Sequence, residues 1–201
     1  MAPRYGYWNM ASPDLVVLLS GPVSVGKTTL RDLLMSDQGF GAIRSSAYLR
    51  EVAAKQDGSP GRLDLQEFGD ALDVQTDYRW VVDSVARPAM AAEPGTRRWL
   101  FDAVRKKRQV EHFIAAFGAA VFHLHLNAPE DVLRARYEGR LMEQGEPVEG
   151  AYDRAVAHDN EQQSRGLIQF ADATVETFPA SSEEVLARAL AAIRQKQRAV
   201  T

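Results

Sequence analysis

The 201-residue chain contains no cysteine. That excludes disulfides, thiolate chemistry and cysteine-ligated metal centres, and it accords with a reducing compartment, so a cytoplasmic location is expected. An excess of one charge is also missing: 24 Lys and Arg stand against 27 Asp and Glu, for a formal net charge of −3. A non-specific polyanion binder needs a positive excess, so nucleic acid is not the favoured partner, although local basic clusters remain available for phosphates. There is no apolar run of the roughly 18 residues that would cross a bilayer, so no membrane partner is expected. Low-complexity tracts and internal repeats are absent too. Residues 1–13 hold Arg4, Tyr5, Tyr7 and Trp8 but no apolar leader segment, which reads as a flexible tail rather than a secretory signal. Docking of Trp8 on the body or on a second subunit is the alternative. The whole chain is 45% hydrophobic, and what remains, 14–201, is long enough to bury one α/β core.

Apolar runs and breaks give the order of elements. Leu15–Ser20 (LVVLLS), Gly41–Arg44, Trp99–Ala103, Ala120–Leu126 and Ala173–Thr177 read as strands. Helices are expected over Lys27–Ser36, Ala47–Gln56, Asp64–Leu72, Tyr78–Ala91, Val110–Phe117, Glu130–Glu143, Tyr152–Phe170 and Ser182–Arg198. Asp57–Gly61 breaks the second of these, Pro88 is placed to kink the fourth, Gly166 to interrupt the seventh, and Ser182 to cap the last. Strands alternating with helices imply a parallel sheet covered on both faces.

Gly21–Thr28 reads GPVSVGKT, a full G-x-x-x-x-G-K-[ST] phosphate loop between an apolar strand and a helix. Gly21 and Gly26 permit backbone geometries that side chains would block. The amides of Val23, Ser24, Val25 and Gly26 can then turn towards phosphate oxygens at the positive end of a helix. Lys27 is expected to reach the β- and γ-phosphates and the Thr28 hydroxyl to bind Mg²⁺, with Thr29 nearer the α-phosphate. The cofactors expected are therefore ATP and Mg²⁺.

Four further segments resemble the P-loop nucleoside monophosphate kinase family, both its adenylate-kinase-like and its deoxynucleotide-kinase-like members. They are Ser45-Ser46-Ala47-Tyr48-Leu49-Arg50-Glu51, Phe101-Asp102-Ala103-Val104-Arg105, the stretch VLRARYEGR at Val132–Arg140, and His158-Asp159-Asn160-Glu161 followed by Arg165. The resemblance implies a three-layer α/β/α P-loop kinase fold. It would have a five-stranded parallel sheet in the order 2-3-1-4-5, an acceptor-binding region over 45–91 and a short lid over 136–165, with Gly145 and Gly150 as hinges. It implies that Arg50 grips the acceptor's phosphate and that Ser45 or Ser46 lines its site. Asp102 would hold Mg²⁺ through water or orient the acceptor, and Arg105 would hold the transferring or acceptor phosphate. Arg136 and Arg140 would serve adenine and ATP phosphates, Arg140 stabilising transfer together with Lys27, while Arg134 faces elsewhere. Arg154 and Arg165 are candidates to close on the phosphates. Ala103 stands where the family has glycine, and no proline precedes Arg105, departures that point to an acceptor other than AMP.

Other features carry less. His123 and His125 share one strand face and suit a packed, hydrogen-bonded pair better than Zn²⁺, since no third ligand is evident. The basic run Arg105–Arg108 reads beyond Arg105 as solvated surface. Trp80, Val81 and Val85 have core spacing, and Asp70 and Asp73 after Gln66 read as a helix face that can also line the acceptor site. The favoured function is phosphorylation of a (deoxy)nucleoside monophosphate or another small phosphate-bearing substrate. A hydroxyl acceptor (dephospho-coenzyme A, a nucleoside or a modified DNA base), with Asp102 as base, is the alternative. A nucleotide-dependent switch or ATP-binding module is the reading of another class, weakened by the lack of an N-K-x-D base motif. Monomer and homodimer remain equally open.

Overall fold

Six consecutive buried residues, Leu15–Ser20, form the central strand β1. A strand buried on both faces needs no polar alternation, which is why it reads as a continuous apolar run. In the computed structural model, which describes residues 12–54 and 62–200, β1 pairs in parallel with β3 (Arg98–Asp102) and β4 (Val121–Asn127). The strands β2 (Gly41–Ile43) and β5 (Ala173–Glu176) complete a parallel sheet in the order β2-β3-β1-β4-β5. This is the expected three-layer α/β/α arrangement and strand order. The tail with Trp8 and the break at Asp57–Gly61 lie outside the described residues.

The pleat sorts the core into two faces. Leu15, Val17 and Leu19 of β1 pack towards α1 (Lys27–Gln38), through Leu30 and Leu34, and towards α9 (Ser182–Val200), through Val185, Ala189 and Ile193. Val16 and Leu18 face the other layer. There they meet Trp80, Val81 and Val85, the helix α4 (Arg87–Ala92) through Met90, and α5 (Lys107–Phe117) through Val110 and Phe113. Trp80, Val81 and Val85 are thus core residues, as their spacing suggests.

The expected helix over Tyr78–Ala91 is instead a π-helical turn, Val81–Ala86, running into α4. Arg87 N–H bonds to the Val82 carbonyl, five residues back, and Pro88 has no N–H with which to continue an α-helical ladder through this turn. The stretch after residue 150 splits into α7 (Ala151–Ala157), α8 (Asp159–Gly166) and a 3₁₀ turn, Leu167–Phe170. The division falls at His158, whose ring nitrogen accepts from Asn160 N–H and caps α8. Helix α6 is Glu130–Glu143, as expected. α2 (Ser45–Ala54) begins two residues before its expected start, and α3 runs Arg62–Thr76. The cap of α9 is Ser181 rather than Ser182: Ser181 Oγ accepts from Glu184 N–H, and the Glu184 carboxylate accepts from Ser181 N–H. That reciprocal pair needs the spacing of three that only Ser181 has to Glu184.

One buried polar hub fixes the helical layer beside β3. The Asp73 carboxylate accepts from Trp80 Nε1 (2.7 Å) and Gln109 Nε2 (3.3 Å) and pairs with Lys106 Nζ (3.1 Å). Burial works against the Lys106 charge, but the Asp70 and Asp73 carboxylates outweigh it and raise its pKa. Asp73 is therefore an interior anchor rather than a helix-face charge. Replacing it with alanine leaves two N–H donors unpaired in the interior and leaves Lys106 held by Asp70 alone of its two carboxylates, and the expected cost is about 2–4 kcal/mol of unfolding free energy, measured by urea titration. A loss below about 1 kcal/mol would show the hub to be dispensable.

Candidate active site

The chain leaves β1 through Gly21, where φ is 135° and a Cβ would lie 2.4 Å from the Leu126 carbonyl oxygen. No L side chain fits there. The following residues wrap into a loop that ends at Gly26, φ 101°, which caps α1 in the left-handed region. Lys27 opens α1 and folds back over the loop, its Nζ donating to the carbonyl oxygens of Gly21 (2.6 Å) and Pro22 (2.7 Å). Burial pushes its pKa down to about 8, opposed by the charges of Glu161 and Asp102 and reinforced by those of Arg105 and Arg165. Thr28 and Thr29 are exposed at the helix start. The Ser24 hydroxyl is buried without a hydrogen-bond partner. An orphaned donor inside a loop of backbone amides at a helix N-terminus fits an anionic phosphate.

The strand ends bring several expected residues round Lys27. Asp102 closes β3, and its Oδ2 accepts from Arg31 Nη1 (3.0 Å), a residue one turn along α1 from Lys27. Arg105 lies exposed in the loop after β3, and its backbone N–H is held by Gln109 Oε1 (3.0 Å). Gln109 in turn donates to Asp73, so the interior hub sets the position of this loop. No group of three or more His, Asp or Glu among the described residues could hold a metal. Among the described residues, the Thr28 hydroxyl and the Asp102 carboxylate, the latter through water, are oxygens that could hold Mg²⁺.

On the other side of the loop a cavity of about 240 Å³ is lined by Ser24, Thr29, Arg136, Thr177 and Val185, among others. Arg136 reaches it from α6, donating to Thr177 Oγ1 (3.1 Å) and to the Thr177 carbonyl (3.0 Å). Arg140, one turn on, stacks its guanidinium over Tyr137. Neither forms a described ion pair with Glu138 or Glu143; Arg134 does, with Glu138 and Asp153. Ser45 and Ser46 sit in the first turn of α2 and Arg50 is exposed on the same helix. No described contact ties Arg50 to the Lys27 group. Arg154 is exposed on α7, whereas Arg165 is engaged by Glu130 and Glu161.

The sequence reading missed Arg31, Glu161 and Ser164. Arg31 had a signal, since its i+4 spacing from Lys27 puts both on one face of α1. Glu161 and Ser164 reach Val23 and Gly21 from more than 130 residues away, a pairing that local pattern does not encode.

The two strand histidines form a buried relay under the loop. His123 Nδ1 bonds to the Phe170 carbonyl (3.1 Å), His123 Nε2 to Ser20 Oγ (2.7 Å), and Ser20 Oγ to His125 Nδ1 (2.8 Å). A carbonyl only accepts, so His123 carries its proton on Nδ1, Ser20 donates to His123 Nε2, and His125 donates from Nδ1 to Ser20. Both rings are neutral.

Comparison with known proteins adds the fold. No family model matches the chain, and no curated protein matches it in sequence. Among solved structures, a candidate kinase from Chloroflexus aurantiacus is 18% identical over 94% of this chain and 100% of its own, with a TM-score of 0.51. A sugar kinase from Janibacter sp. HTCC2649 is 18% identical over 90% and 95%, with a TM-score of 0.48. A gluconokinase from Sinorhizobium meliloti is 12% identical over 94% and 97%, at 0.47. At 18% identity the likeness to the Chloroflexus structure is one of fold alone.

Burial, then the neighbouring His123 and the Lys27 charge, push the His125 pKa from 6.5 down to about 4. Between those values the unfolded chain binds the proton and the native chain does not, so stability rises with pH across that window. The contribution is complete above pH 6.5 and lost on descent to pH 4, up to about 3 kcal/mol. Urea unfolding of wild type and His125→Gln at pH 6.5 and 4.5 should show a shallower pH dependence in the variant; equal slopes would remove His125 from the account.

Proposed function

We propose that the chain is an ATP- and Mg²⁺-dependent phosphotransferase acting on a small phosphate-bearing acceptor, with a (deoxy)nucleoside monophosphate the favoured one. The observation that carries this reading is the loop: Gly21 and Gly26 in backbone conformations that favour glycine, Lys27 at its mouth and an unsatisfied Ser24 hydroxyl within it. In-line phosphoryl transfer is chiefly positioning and charge stabilisation and needs no protein nucleophile. The γ-phosphoryl group passes from ATP to an acceptor oxygen and ADP leaves. The amides of Ser24 and Gly26 and the Lys27 ammonium hold the donor's phosphates, the Val23 and Val25 amides, expected to do the same, being taken instead by the Glu161 carboxylate and the Pro22 carbonyl, and Arg136 with the cavity beside Thr177 receives the base. Mg²⁺, when bound, neutralises phosphate charge, held by the Thr28 hydroxyl and through water by Asp102. Arg105 meets the acceptor's phosphate: it is exposed, its charge is felt at Lys27, and it forms no described ion pair. Arg50, Ser45 and Ser46 complete the acceptor side from α2, and Arg140 supplies further positive charge from α6.

A hydroxyl acceptor is the second reading, supported by Asp102. Arg31 engages its Oδ2, and no described contact takes Oδ1, which stands at the carboxyl edge of the sheet for a hydroxyl proton.

Mg·ATP with a panel of nucleoside and deoxynucleoside monophosphates, dephospho-coenzyme A and modified DNA tests both, following ADP and the phosphorylated product together. Acceptor-dependent product is expected with a monophosphate, falling about 100-fold or more in Lys27→Ala. Turnover only with a hydroxyl acceptor would replace the first reading by the second, and ATP binding without turnover on any acceptor would sink both. With the productive acceptor, Arg105→Ala should raise the acceptor KM about tenfold and leave ATP affinity within about twofold. An equal loss in ATP affinity would move Arg105 to the donor side.

A further inference from the structure

We propose that Glu161 is the positioning residue of the phosphate loop: with Ser164 it clasps the backbone of Gly21–Val23 and ties the loop to the α6–α8 segment.

Glu161 and Ser164 stand three residues apart on α8, so they share the helix face that meets the loop. Glu161 Oε1 accepts from Val23 N–H (2.9 Å), and Ser164 Oγ donates to the Gly21 carbonyl (3.1 Å). The Glu161 side chain is only 13% exposed. Together with the two bonds from Lys27 Nζ, side chains engage three successive backbone groups of this turn: Gly21 O, Pro22 O and Val23 N–H. The turn carries a left-handed Gly21 and leads into Ser24 at φ 60°. Such a segment has little reason of its own to stay in one conformation. A ligand meeting a loop already held in shape avoids the ordering cost that a free loop imposes.

The clasp does not end at α8. The same Glu161 oxygen accepts from Arg165 Nε (2.8 Å). Arg165 Nη1 continues to Glu130 Oε2 (2.7 Å) in the first turn of α6, and its Nη2 to the Tyr152 hydroxyl (3.1 Å) on α7. Tyr152 closes the circuit by donating to Glu130 Oε1 (2.8 Å). A displacement of α6 or α7 is thereby transmitted to Val23 through one carboxylate. Arg165, spoken for by two carboxylates and a hydroxyl, is a strut of this circuit. The opposite role for Glu161 is an internal anion that competes with phosphate for the loop, and it predicts the opposite sign in binding.

The clasp belongs to the nucleotide-free chain, and only its effect on ATP rests on the function proposed above. Amide hydrogen exchange and the ¹H–¹⁵N resonance of Val23 read the first; calorimetric Mg·ATP affinity reads the second. In Glu161→Ala, Val23 should exchange about tenfold faster or more, its amide proton moving upfield, and Mg·ATP should bind about tenfold more weakly. Glu161→Gln, whose amide oxygen still accepts from Val23, should restore both to within about threefold of wild type. Unchanged Val23 exchange in Glu161→Ala, a glutamine variant as impaired as the alanine one, or tighter Mg·ATP binding on loss of the carboxylate would each overturn the clasp. Should Glu161→Ala not fold, wild-type Val23 decides: a slowly exchanging, downfield amide upholds the clasp and an unprotected one overturns it. Wild type with a protected Val23 but no Mg·ATP binding would uphold the clasp and sink the nucleotide reading.

Discussion

Everything at the site follows from the crowding where β1 ends. Ser20 and His125 are register partners on adjacent parallel strands, and the residue after Ser20 must turn away within reach of the Leu126 carbonyl. The 2.4 Å that a Cβ would leave there admits only glycine. Once the turn is made, the peptide groups of the next residues are stripped of sheet partners and must be satisfied some other way. Lys27 and α8 take the groups nearest the strand, and Val25 N–H closes the turn onto the Pro22 carbonyl (3.4 Å). The loop's chemistry is thus a consequence of a packing constraint between two strands, with the helix dipole added because α1 begins where the loop stops.

A second constraint is that the sheet's carboxyl edge carries charges that the interior must keep in place. Asp102 ends β3 with Arg31 against it, and the loop that follows is pinned through Gln109 to Asp73, which also takes Lys106 and Trp80. Buried ion pairs of this sort contribute little net stability against an apolar replacement, but breaking one partner is costly. Their effect here is geometric. Asp73 and its partners are enclosed, Arg105 is left outside, and the distance between Lys27 and Arg105 is set by interior hydrogen bonds rather than by a flexible surface loop.

The strands, their order and the phosphate loop were legible because each is written locally: apolar runs for a sheet buried on both faces, and one eight-residue motif for the turn. Two departures are also local in origin. Pro88 interrupts an α-helical ladder and leaves a π turn in front of it, and His158, a residue outside the usual capping set, splits what reads as one helix into α7 and α8. What was not legible is long-range pairing. Val23 finds Glu161, and Ser20 finds two histidines over a hundred residues on. Nothing in the spacing of Asp159, Asn160 and Glu161 says which of them turns towards the loop. The helix start at His158 fixes that, and it is visible only in three dimensions.

The charge balance round Lys27 gives the site its remaining logic. The relay of Ser20, His123 and His125 provides a polar floor without charge, since burial keeps both rings neutral beside an ammonium. The charges felt at Lys27 are then two arginines, Arg105 and Arg165, and two carboxylates, Glu161 and Asp102. Under the proposed function a nucleoside triphosphate brings several negative charges to that point. Glu161 opposes that charge, and in the proposed clasp its carboxylate serves instead to hold the Val23 amide, so the same group that weakens the field at Lys27 keeps the loop in shape.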